Sequence, residues 1–394
     1  MVNHKNVLRK LISFITKNKE IIASIESKDT QKPIEQSICE VEDGVKVLEY
    51  YNRLQIQMKV VSESGTTYRV PLGNALFILP FNYPFLLACW KIGPALATGN
   101  SCWIKPSPYA PNSIKYVLDE INEPNIIKCV LATNEETLAL VKNPNVHHIG
   151  FIGGQEAAQI IWRNAYGKSI GIEASGCNAI VVDEDVPKNA VETITDAVLT
   201  NAGQNCCKPS HIFIPKSKIE ELVPKLQFAF SRYPLIPLIN DIQKSKYIKN
   251  IEFLDNSSFT LLPIDSSTSP FSKNSSFVPP KLFLYNKTRP SPYFYNEIFG
   301  PVTIIIPYSS VTQLDAIIMP NTNKLAFGVL STNPHFAHNL IHKYHHGINW
   351  VNQYNICYPD LCFGGALLSG SSWHKDLGIE AAHGLTKQFS VVEK

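Results

Sequence analysis

Apolar side chains recur at helical spacing in the first part of the chain. Between residues 5 and 28 they fall near every third or fourth position, which predicts one amphipathic helix with a polar face. These apolar residues are Val7, Leu8, Leu11, Ile12, Ile15, Ile21, Ile22 and Ile25. A second helix is predicted over residues 34–51. Residues 54–61 then alternate apolar and polar positions, which is typical of a half-exposed strand.

Short apolar runs alternate with helical patterns from Asn74 onward. The predicted strands are 75–80, 101–104, 126–131 and 147–152, with predicted helices at 85–98, 114–121 and 135–141. Strand, helix and strand at these lengths indicate right-handed crossovers in a parallel sheet, as in open nucleotide-binding α/β folds. The alternation returns with a strand at 179–182 and a helix at 190–200. Residues 255–292 are rich in Ser, Pro and Asn and are predicted to be irregular.

Charge favours a protein that acts on a small molecule. The 36 Lys and Arg residues nearly balance the 33 Asp and Glu residues, which gives a formal charge of +3. Charges of both signs are interspersed, so nothing points to nucleic acid or an anionic membrane as a partner. The longest apolar stretch, residues 75–90, contains Pro80, Asn82 and Pro84 and runs into Lys91, a pattern that argues against a membrane-spanning helix.

Cysteine usage and the N-terminal residues indicate a reducing, cytoplasmic setting. Nine cysteines is an odd number, and their positions show no repeated close-pair spacing. We therefore expect neither a disulfide framework nor a metal site. Residues 1–11 are followed by no uninterrupted apolar block and no small-residue cleavage site, so we expect no secretory signal.

Cys206 is a candidate nucleophile. It follows a helical run and ends the segment Asn201-Ala202-Gly203-Gln204-Asn205-Cys206, in which Gly203 allows a tight turn beside a bound substrate. A nucleophilic cysteine reacts as its thiolate, so its surroundings matter more than its presence. The alternative is a buried structural cysteine, since free Cys is among the most buried residue types.

Two other polar residues occupy positions suited to catalysis. Glu173 ends an apolar stretch and is followed by small residues, so it is either a carboxylate held over a reactive centre or a solvated loop charge. Asn82 lies between Pro80 and Pro84, which stiffen a strand-to-helix turn and fix the amide. Its alternative role is a helix cap, the commoner use of Asn at such a place.

Together these segments resemble the aldehyde dehydrogenase superfamily, and the resemblance extends from about residue 5 to the C-terminus. The strongest match is the nucleophile segment with Cys207 after it. The other matching segments, in chain order, are Pro80–Pro84, Trp90–Leu96 with Lys91, Gly99-Asn100, Lys105-Pro106-Ser107, Glu173, Glu297–Val302, Phe363–Gly365 and Ser369-Gly370. Each segment is weak alone, but the same ordered set is specific for the family.

The resemblance implies a mechanism for aldehyde oxidation. Cys206 would attack the aldehyde carbonyl, and the Asn82 amide with the Cys206 backbone N–H would hold the resulting oxyanion. Glu173 would activate the water that hydrolyses the thioester, and Lys91 would belong to a proton path. Relatives that pass the acyl group to coenzyme A generally lack this Glu, so a carboxylic acid is the expected product.

The resemblance also implies NAD or NADP as cofactor. The residues that would bind it are Lys105, Ser107, Gly153, Gly154, Glu297 and Phe299. Pro108 stands where many members have a glutamate that binds the adenosine ribose, which leaves the choice between NAD and NADP open. Gly154 replaces a hydroxyl residue of the phosphate-binding turn, and Ala158 replaces a later glycine. We therefore expect weaker binding, carried by backbone amides at the helix N-terminus.

Three domains follow from the resemblance. Residues 1–52 and 72–175 would form a Rossmann-type cofactor domain, residues 176–370 an α/β catalytic domain, and residues 53–71 and 371–394 a small oligomerisation arm. Residues 387–392 have the pattern of an edge strand, which in this family adds to a neighbouring subunit, so we expect a homodimer or homotetramer. The first residues match a helix well inside a typical member, and the missing opening segment is expected to affect stability or assembly.

Further departures and alternatives follow from particular residues. Ser175 adds bulk beside Glu173, and His211 stands where many members carry arginine. A catalytically impaired binding or scaffold protein is one alternative, although retention of the catalytic set argues against it. A cofactor-free cysteine hydrolase is another, and it would need a histidine such as His211 beside Cys206.

The predicted pocket for a neutral aliphatic or aromatic aldehyde is lined by Tyr83, Leu87, Asn205, Cys207, Tyr354, Tyr358, Leu361 and Phe363.

Overall fold

The helices follow the predicted alternation closely in the first half of the chain. The computed structural model describes residues 2–254, 258–265, 273–285, 287 and 294–393. Its α-helices are α1 (Val2–Lys17), α2 (Lys19–Thr30), α3 (Ile34–Arg53), α4 (Pro84–Thr98), α5 (Asn112–Ile121), α6 (Asn134–Lys142), α7 (Gln155–Asn164), α8 (Ala190–Leu199), α9 (Ile219–Arg232), α10 (Asp241–Ile251), α11 (Val311–Ile318), α12 (Pro334–Tyr344) and α13 (Gly378–Gly384). None of these helices has the length and apolar character needed to cross a membrane.

The strands form parallel sheets with short antiparallel additions. They are β1 (Lys59–Ser62), β2 (Gly65–Pro71), β3 (Asn74–Ile78), β4 (Ser101–Lys105), β5 (Ile127–Cys129), β6 (His148–Gly153), β7 (Ser169–Ala174), β8 (Asn178–Val182), β9 (Pro209–Pro215), β10 (Phe259–Leu262), β11 (Lys281–Tyr285), β12 (Val302–Tyr308), β13 (Asn323–Lys324), β14 (Ala326–Leu330), β15 (Ile348–Val351), β16 (Ala366–Leu367) and β17 (Thr386–Val392). The chain divides into two compact units, the first comprising residues 1–174, 357–364 and 371–394 and the second residues 175–356 and 365–370.

The first unit is built on a parallel sheet with the strand order β5-β4-β3-β6-β7. The chain starts in the middle at β3, adds β4 and β5 on one side, and then returns to add β6 and β7 on the other. This reversal between β3 and β6 is a topological switch point, and ligands of open α/β sheets bind outside the carboxyl ends of the strands at such a point. A buried apolar cluster that includes Leu76, Ile149 and Ile161 packs part of this unit.

A smaller antiparallel sheet in the first unit joins distant parts of the chain. Its order is β1-β2-β17, with Tyr68 of β2 opposite Phe389 of β17. Those two rings stack with centroids 5.2 Å apart, which is a typical cross-strand aromatic pair. The C-terminal strand lies at the edge of this sheet, and most of its side chains are exposed.

The second unit contains the larger sheet, with the order β10-β11-β12-β9-β8-β14-β15. All neighbours in it are parallel except β10 and β11, which form an antiparallel edge. Every residue of β8, β9 and β14 is buried, as expected for parallel strands covered on both faces.

Three local predictions were wrong. The single helix predicted over residues 5–28 is two helices, because Asn18 leaves helical geometry between α1 and α2. The strand predicted over 54–61 begins only at Lys59, and all four residues of β1 are exposed. The segment predicted as irregular, 255–292, contains β10 and β11, and the rest of it lies partly outside the described residues. The predicted domain boundaries stay a prediction; residues 357–364, which they place in the catalytic domain, belong to the first compact unit.

Candidate active site

The first unit brings several of the predicted site residues to one edge of its parallel sheet. Lys105 ends β4 and is paired in register with Ile78, the last residue of β3. Glu173 lies near the end of β7, opposite Ile152 of β6. Because the carboxyl ends of parallel strands meet at one edge, these residues and the turns after β3 and β6 surround the switch point.

The Asn82 turn is held at its start by the neighbouring strand. The backbone N–H of Leu79 donates to the carbonyl oxygen of Lys105 at 3.0 Å, and α4 begins five residues later at Pro84. Pro is well suited to a first helical position because its missing N–H would have no partner there. Tyr83, not Asn82, occupies the cap position. The alternative role of Asn82 as the helix cap is therefore wrong, and its side chain is 5% exposed.

Glu173 is a buried carboxylate. It is 2% exposed within β7, so the alternative of a solvated loop charge is wrong. The residue two positions later, Ser175, has a φ of +30°, which an L residue rarely adopts. Such backbone strain clusters at functional sites, where the surrounding structure enforces it.

Lys91 forms a buried ion pair that the sequence did not reveal. Its Nζ donates to Oδ1 of Asp376 at 2.5 Å, and the two side chains are 3% and 6% exposed. Asp376 is fixed by an isolated antiparallel bridge to Phe363. Nothing in the local sequence around Asp376 marks this role, because the partner is 285 residues away.

The carboxyl ends of β4 and β6 fit an anionic ligand. Lys105 is 5% exposed, burial lowers its pKa, and within the described part of the chain it forms no ion pair. A buried ammonium without a counter-charge is costly unless a ligand supplies one. Gly154 caps α7, and a Cβ built on it would meet nothing within 4 Å, so the amides of this helix N-terminus are open to approach.

In the second unit, the backbone before Cys206 is strained. Three consecutive residues, Asn201, Ala202 and Gly203, have φ values of +54°, +53° and +67°. Only glycine tolerates this region without cost, and each non-glycine residue there costs about 1–3 kcal/mol. A Cβ on Gly203 would lie 2.2 Å from the carbonyl oxygen of Gly300, so the loop also passes very close to another backbone segment. Glycine is required at position 203 on both grounds.

Side chains of the second unit hold two carbonyl groups that follow this strained loop. Asn178 donates from Nδ2 to the carbonyl oxygen of Cys206 at 2.6 Å, and the hydroxyl of Tyr354 donates to that of Cys207 at 2.9 Å. Cys206 is partly exposed, whereas Cys207 is 4% exposed. Neither Asn178 nor Tyr354 was singled out as a support of this loop from sequence, because each approaches from another strand or loop.

Glu297 and Phe299 lie in the segment that Gly203 approaches, and both are half-buried. The nearby Lys208 is 2% exposed and donates to the carbonyl oxygen of Val302 at 2.8 Å. Burial lowers the pKa of Lys208 to about 8, against the opposing effect of the negative charge of Glu297. The second unit therefore brings Cys206, Glu297 and Phe299 onto two segments that touch at Gly203 and Gly300.

Comparison with known proteins identifies the family. The model of the aldehyde dehydrogenase family matches residues 2–391. The chain belongs to the aldehyde dehydrogenase family. The predictions of this family and of an NAD(P)-dependent aldehyde dehydrogenase are thereby confirmed.

Individual relatives are distant in sequence but close in structure. A betaine aldehyde dehydrogenase of Rhizobium johnstonii is 25% identical over 391 residues, covering 92% of this chain and 80% of the relative. The crystal structure of apo betaine aldehyde dehydrogenase from Staphylococcus aureus has a TM-score of 0.91 at 22% identity, covering 99% of this chain and 83% of that one. The indole-3-acetaldehyde dehydrogenase of P. syringae, solved with NAD⁺, has a TM-score of 0.89 at 23% identity, covering 100% and 84%. The predicted α/β fold is confirmed.

His211, a departure from the family pattern, is a core residue. It is 3% exposed and stacks on Phe294 with ring centroids 4.1 Å apart. Burial lowers its pKa to about 3, and its Nδ1 faces the sulfur of Cys177 at 3.7 Å. A hydrolase base would have to face Cys206 instead, so this geometry gives the cofactor-free hydrolase no support.

The predicted substrate-pocket residues divide into core and surface groups. Leu87 and Phe363 belong to the core of the first unit, where Phe363 packs against Trp90 with centroids 4.9 Å apart. Tyr358 and Leu361 are 46% and 56% exposed. Burial alone does not decide whether a residue lines a pocket, so the assignment of these residues to the substrate pocket stays a prediction.

Proposed function

We propose that this chain oxidises an aldehyde to a carboxylic acid with NAD or NADP, with Cys206 as the nucleophile and Glu173 as the base for hydrolysis. The observation that carries the proposal is the strained loop of the second unit. It bears one partly exposed cysteine beside a buried one, and side chains fix the carbonyl groups of both. Strain of this kind is retained where it serves function.

The reaction begins at the sulfur of Cys206. The thiolate attacks the carbonyl carbon, a C–S bond forms, and the electron pair of the C=O bond moves onto oxygen. The Asn82 side-chain amide and the Cys206 backbone N–H would donate hydrogen bonds to that oxyanion. Removing one such donor typically lowers the rate by about 10²–10³. The buried position of Asn82, after a proline-bounded strand end, supports this role because it limits side-chain motion.

We assign cofactor binding to six residues. Lys105, Ser107, Gly153 and Gly154 would bind the adenosine and phosphate portion, and Glu297 and Phe299 the nicotinamide portion. When bound, the nicotinamide accepts the hydride that leaves the substrate carbon. Ser107 is 6% exposed and its hydroxyl already accepts a hydrogen bond from the Tyr109 N–H at 3.3 Å, so its orientation is set in advance.

Hydrolysis completes the cycle. Oxidation of the tetrahedral adduct leaves a thioester on Cys206, and Glu173 would take a proton from the water that attacks it. The C–S bond then breaks, the thiolate is regenerated, and the carboxylic acid leaves. Lys91, paired with Asp376, would be part of the path along which the proton is transferred away from Glu173. The position of Glu173 supports this role, because its carboxylate lies in the interior at the end of β7 and not in bulk water.

The predicted domains and assembly complete the proposal. We assign cofactor binding to residues 1–52 and 72–175, catalysis to 176–370, and subunit association to an arm of 53–71 and 371–394. The exposed edge strand β17 supports the arm, since an unpaired strand edge can pair with a second copy. We propose a homodimer or homotetramer. Light scattering that finds only monomer at micromolar concentration would contradict it.

The nucleophile assignment is tested with a matched pair of cysteine variants. Cys206→Ser is expected to abolish aldehyde-dependent reduction of NAD or NADP while leaving cofactor binding nearly intact. Cys39→Ser changes an exposed cysteine of α3, outside the proposed site, and should retain full activity. The aldehyde panel includes neutral aliphatic and aromatic aldehydes, and betaine aldehyde because of the Rhizobium relative. A Cys206→Ser variant that kept most of its rate would exclude this nucleophile.

The base assignment is tested by trapping the intermediate. Glu173→Gln removes the proton acceptor but keeps the size of the side chain, so the thioester should accumulate. Intact-mass spectrometry after mixing with aldehyde and cofactor would then detect an acyl adduct, and peptide mapping would locate it on Cys206. If the thioester were hydrolysed at the parent rate, another group would have to act as the base.

A further inference from the structure

Three buried charged residues that the proposed mechanism does not use lie against the turn that carries Asn82. Glu26 of α2, Lys32 between α2 and α3, and Glu40 of α3 are 0%, 3% and 4% exposed. Lys32 Nζ forms an ion pair with Oε2 of Glu40. Charged residues are rarely buried to this extent unless they are paired and perform a specific structural task.

The two carboxyl groups cap the N-terminus of α4. Oε1 of Glu26 accepts the backbone N–H of Phe85 at 3.3 Å, and Oε1 of Glu40 accepts that of Leu86 at 3.4 Å. The cap residue Tyr83 provides no side-chain cap, and Pro84 has no N–H. Carboxyl groups from two other helices therefore accept hydrogen bonds from amides at the helix N-terminus, where the helix dipole also favours negative charge.

Lys32 contacts the other side of the same turn. Its Nζ lies 4.2 Å from the centroid of the Tyr83 ring, in cation–π geometry. Tyr83 directly follows Asn82 in the chain. The ammonium that neutralises Glu40 thus also packs on the neighbour of the proposed oxyanion donor.

Neighbouring groups limit the net charge of this buried cluster. The hydroxyl of Ser113 donates to Oε2 of Glu26. Burial, and next the negative charge of Glu40, raise the pKa of Glu26 well above its usual value, which favours the neutral form of this carboxyl group. The Lys32 ammonium is paired with Glu40, so the cluster carries less net negative charge than two carboxylates alone would.

We propose that Glu26, Lys32 and Glu40 are positioning residues that fix the Pro80–Pro84 turn and so the direction of the Asn82 amide. The inference rests on the proposed function, because it concerns the donor assigned there to the oxyanion. None of the three is assigned to contact substrate or cofactor. They act through the start of α4 and through Tyr83, and a donor misplaced by about 1 Å can cost up to about 10² in rate.

A double-mutant cycle separates positioning from general stability. Asn82→Ala is expected to lower kcat by about 10²–10³. Glu40→Gln should lower kcat about tenfold, with little change in the KM for the cofactor. If Glu40 acts by orienting Asn82, the double variant should match Asn82→Ala alone within about twofold, since no amide remains to be oriented. Two losses that multiply would overturn the proposal.

The controls use the same helix and the same cluster. Glu42→Gln makes the same chemical change on α3, but Glu42 is 43% exposed in a surface pair with Lys19, so kcat should not change. Lys32→Arg keeps the positive charge with a different shape, so it should lower kcat less than Glu40→Gln does. That decrease in kcat should also be absent in the Asn82→Ala background. This variant is used in the cycle if Glu40→Gln fails to fold, as judged by its thermal unfolding.

The two proposals fail in different ways. If Asn82→Ala alone leaves kcat unchanged, the oxyanion assignment of the proposed function is wrong and the positioning role falls with it. Suppose instead that Asn82→Ala lowers kcat as expected, but that Glu40→Gln lowers kcat by its full factor again in the double variant. Only the positioning role is then wrong.

Discussion

The two units support their proposed functional groups by different means. In the first unit, two buried ion pairs lie at α4 and the turn before it: Lys91 with Asp376, and Lys32 with Glu40. In the second unit, the loop before Cys206 is held by neutral groups, namely the Asn178 amide and the Tyr354 hydroxyl, and by consecutive left-handed residues.

This difference follows from what each unit must hold. The first unit places side-chain functional groups at strand ends and in a turn before a helix, where buried charges can satisfy helix amides and hold the turn. The second unit places a cysteine whose own backbone N–H is proposed to act. A backbone donor is directed by the φ and ψ angles of the chain, so backbone strain and bonds to adjacent carbonyl groups are the effective means.

The largest expected effect comes from placing a side chain on Gly203. Gly203→Ala should destabilise the protein by about 2–6 kcal/mol, since a left-handed alanine costs about 1–3 kcal/mol and overlap with an immobile backbone oxygen adds a similar amount. Gly154→Ala is the matched control, because its φ is −75° and its Cβ would meet open space. Denaturant unfolding measures both. Equal stability of the two variants would contradict the strained-loop account.

Removing one member of a buried ion pair should have the next largest effect. Lys91→Met leaves the Asp376 carboxylate buried without a counter-charge, which should cost about 3 kcal/mol. Lys115→Met breaks an exposed pair with Asp119 within α5 and should leave the stability nearly unchanged, because solvent screens such a pair.

The same ion pair offers a second, more selective test. Adding Asp376→Leu to Lys91→Met removes the unpaired charge and should restore most of the lost stability, as judged by thermal unfolding. A double variant as unstable as Lys91→Met would show that the charge is not the cause.

The smallest expected effect concerns a buried histidine of the second unit. His346 is 6% exposed, stacks on Phe327 at 5.1 Å, and burial lowers its pKa to about 3. Since its pKa is lower in the folded state, the stability contributed by the neutral ring is present above about pH 6.5 and is lost as the pH falls from there toward 3.

Replacing this histidine should therefore protect against acid. His346→Phe should change stability by less than about 1 kcal/mol at pH 7.5 but should gain about 2 kcal/mol over the parent at pH 5. Thermal unfolding at the two pH values measures the gain. His335→Phe, at an exposed position of α12, should show no comparable gain. A His346→Phe variant that lost stability equally at both pH values would contradict the titration argument.

Much of the fold was predictable because local patterns and tertiary structure agree there. The strands and helices from Asn74 to Ile152 were predicted to within about three residues, since each apolar run is short and bounded by Pro, Gly or Asn. Predictions failed where a single residue or a distant partner decides the outcome. Asn18 divides one amphipathic pattern into two helices, and β10 forms next to β11 despite a Ser-rich surrounding sequence.

The candidate catalytic residues were predictable from the sequence, but the residues that hold them in position were not. Cys206, Glu173 and Asn82 were chosen from motifs, and the roles assigned to them stay predictions. Asp376 lies 285 residues from its partner Lys91, and Tyr354 lies 147 residues from the carbonyl group that it holds. Such pairs leave no periodic or local signal, because each half alone is an ordinary charged or aromatic residue.

The order of residues along the chain was sufficient to determine the alternation of strands and helices, the family and the chemically capable side chains, since these depend on local spacing and on matched motifs. Only the folded chain decided which carboxylates lose water, which glycine meets a carbonyl oxygen and which amides receive a cap. Those properties arise from burial and from contacts between remote segments, because a group loses its hydrating water only when the folded chain buries it.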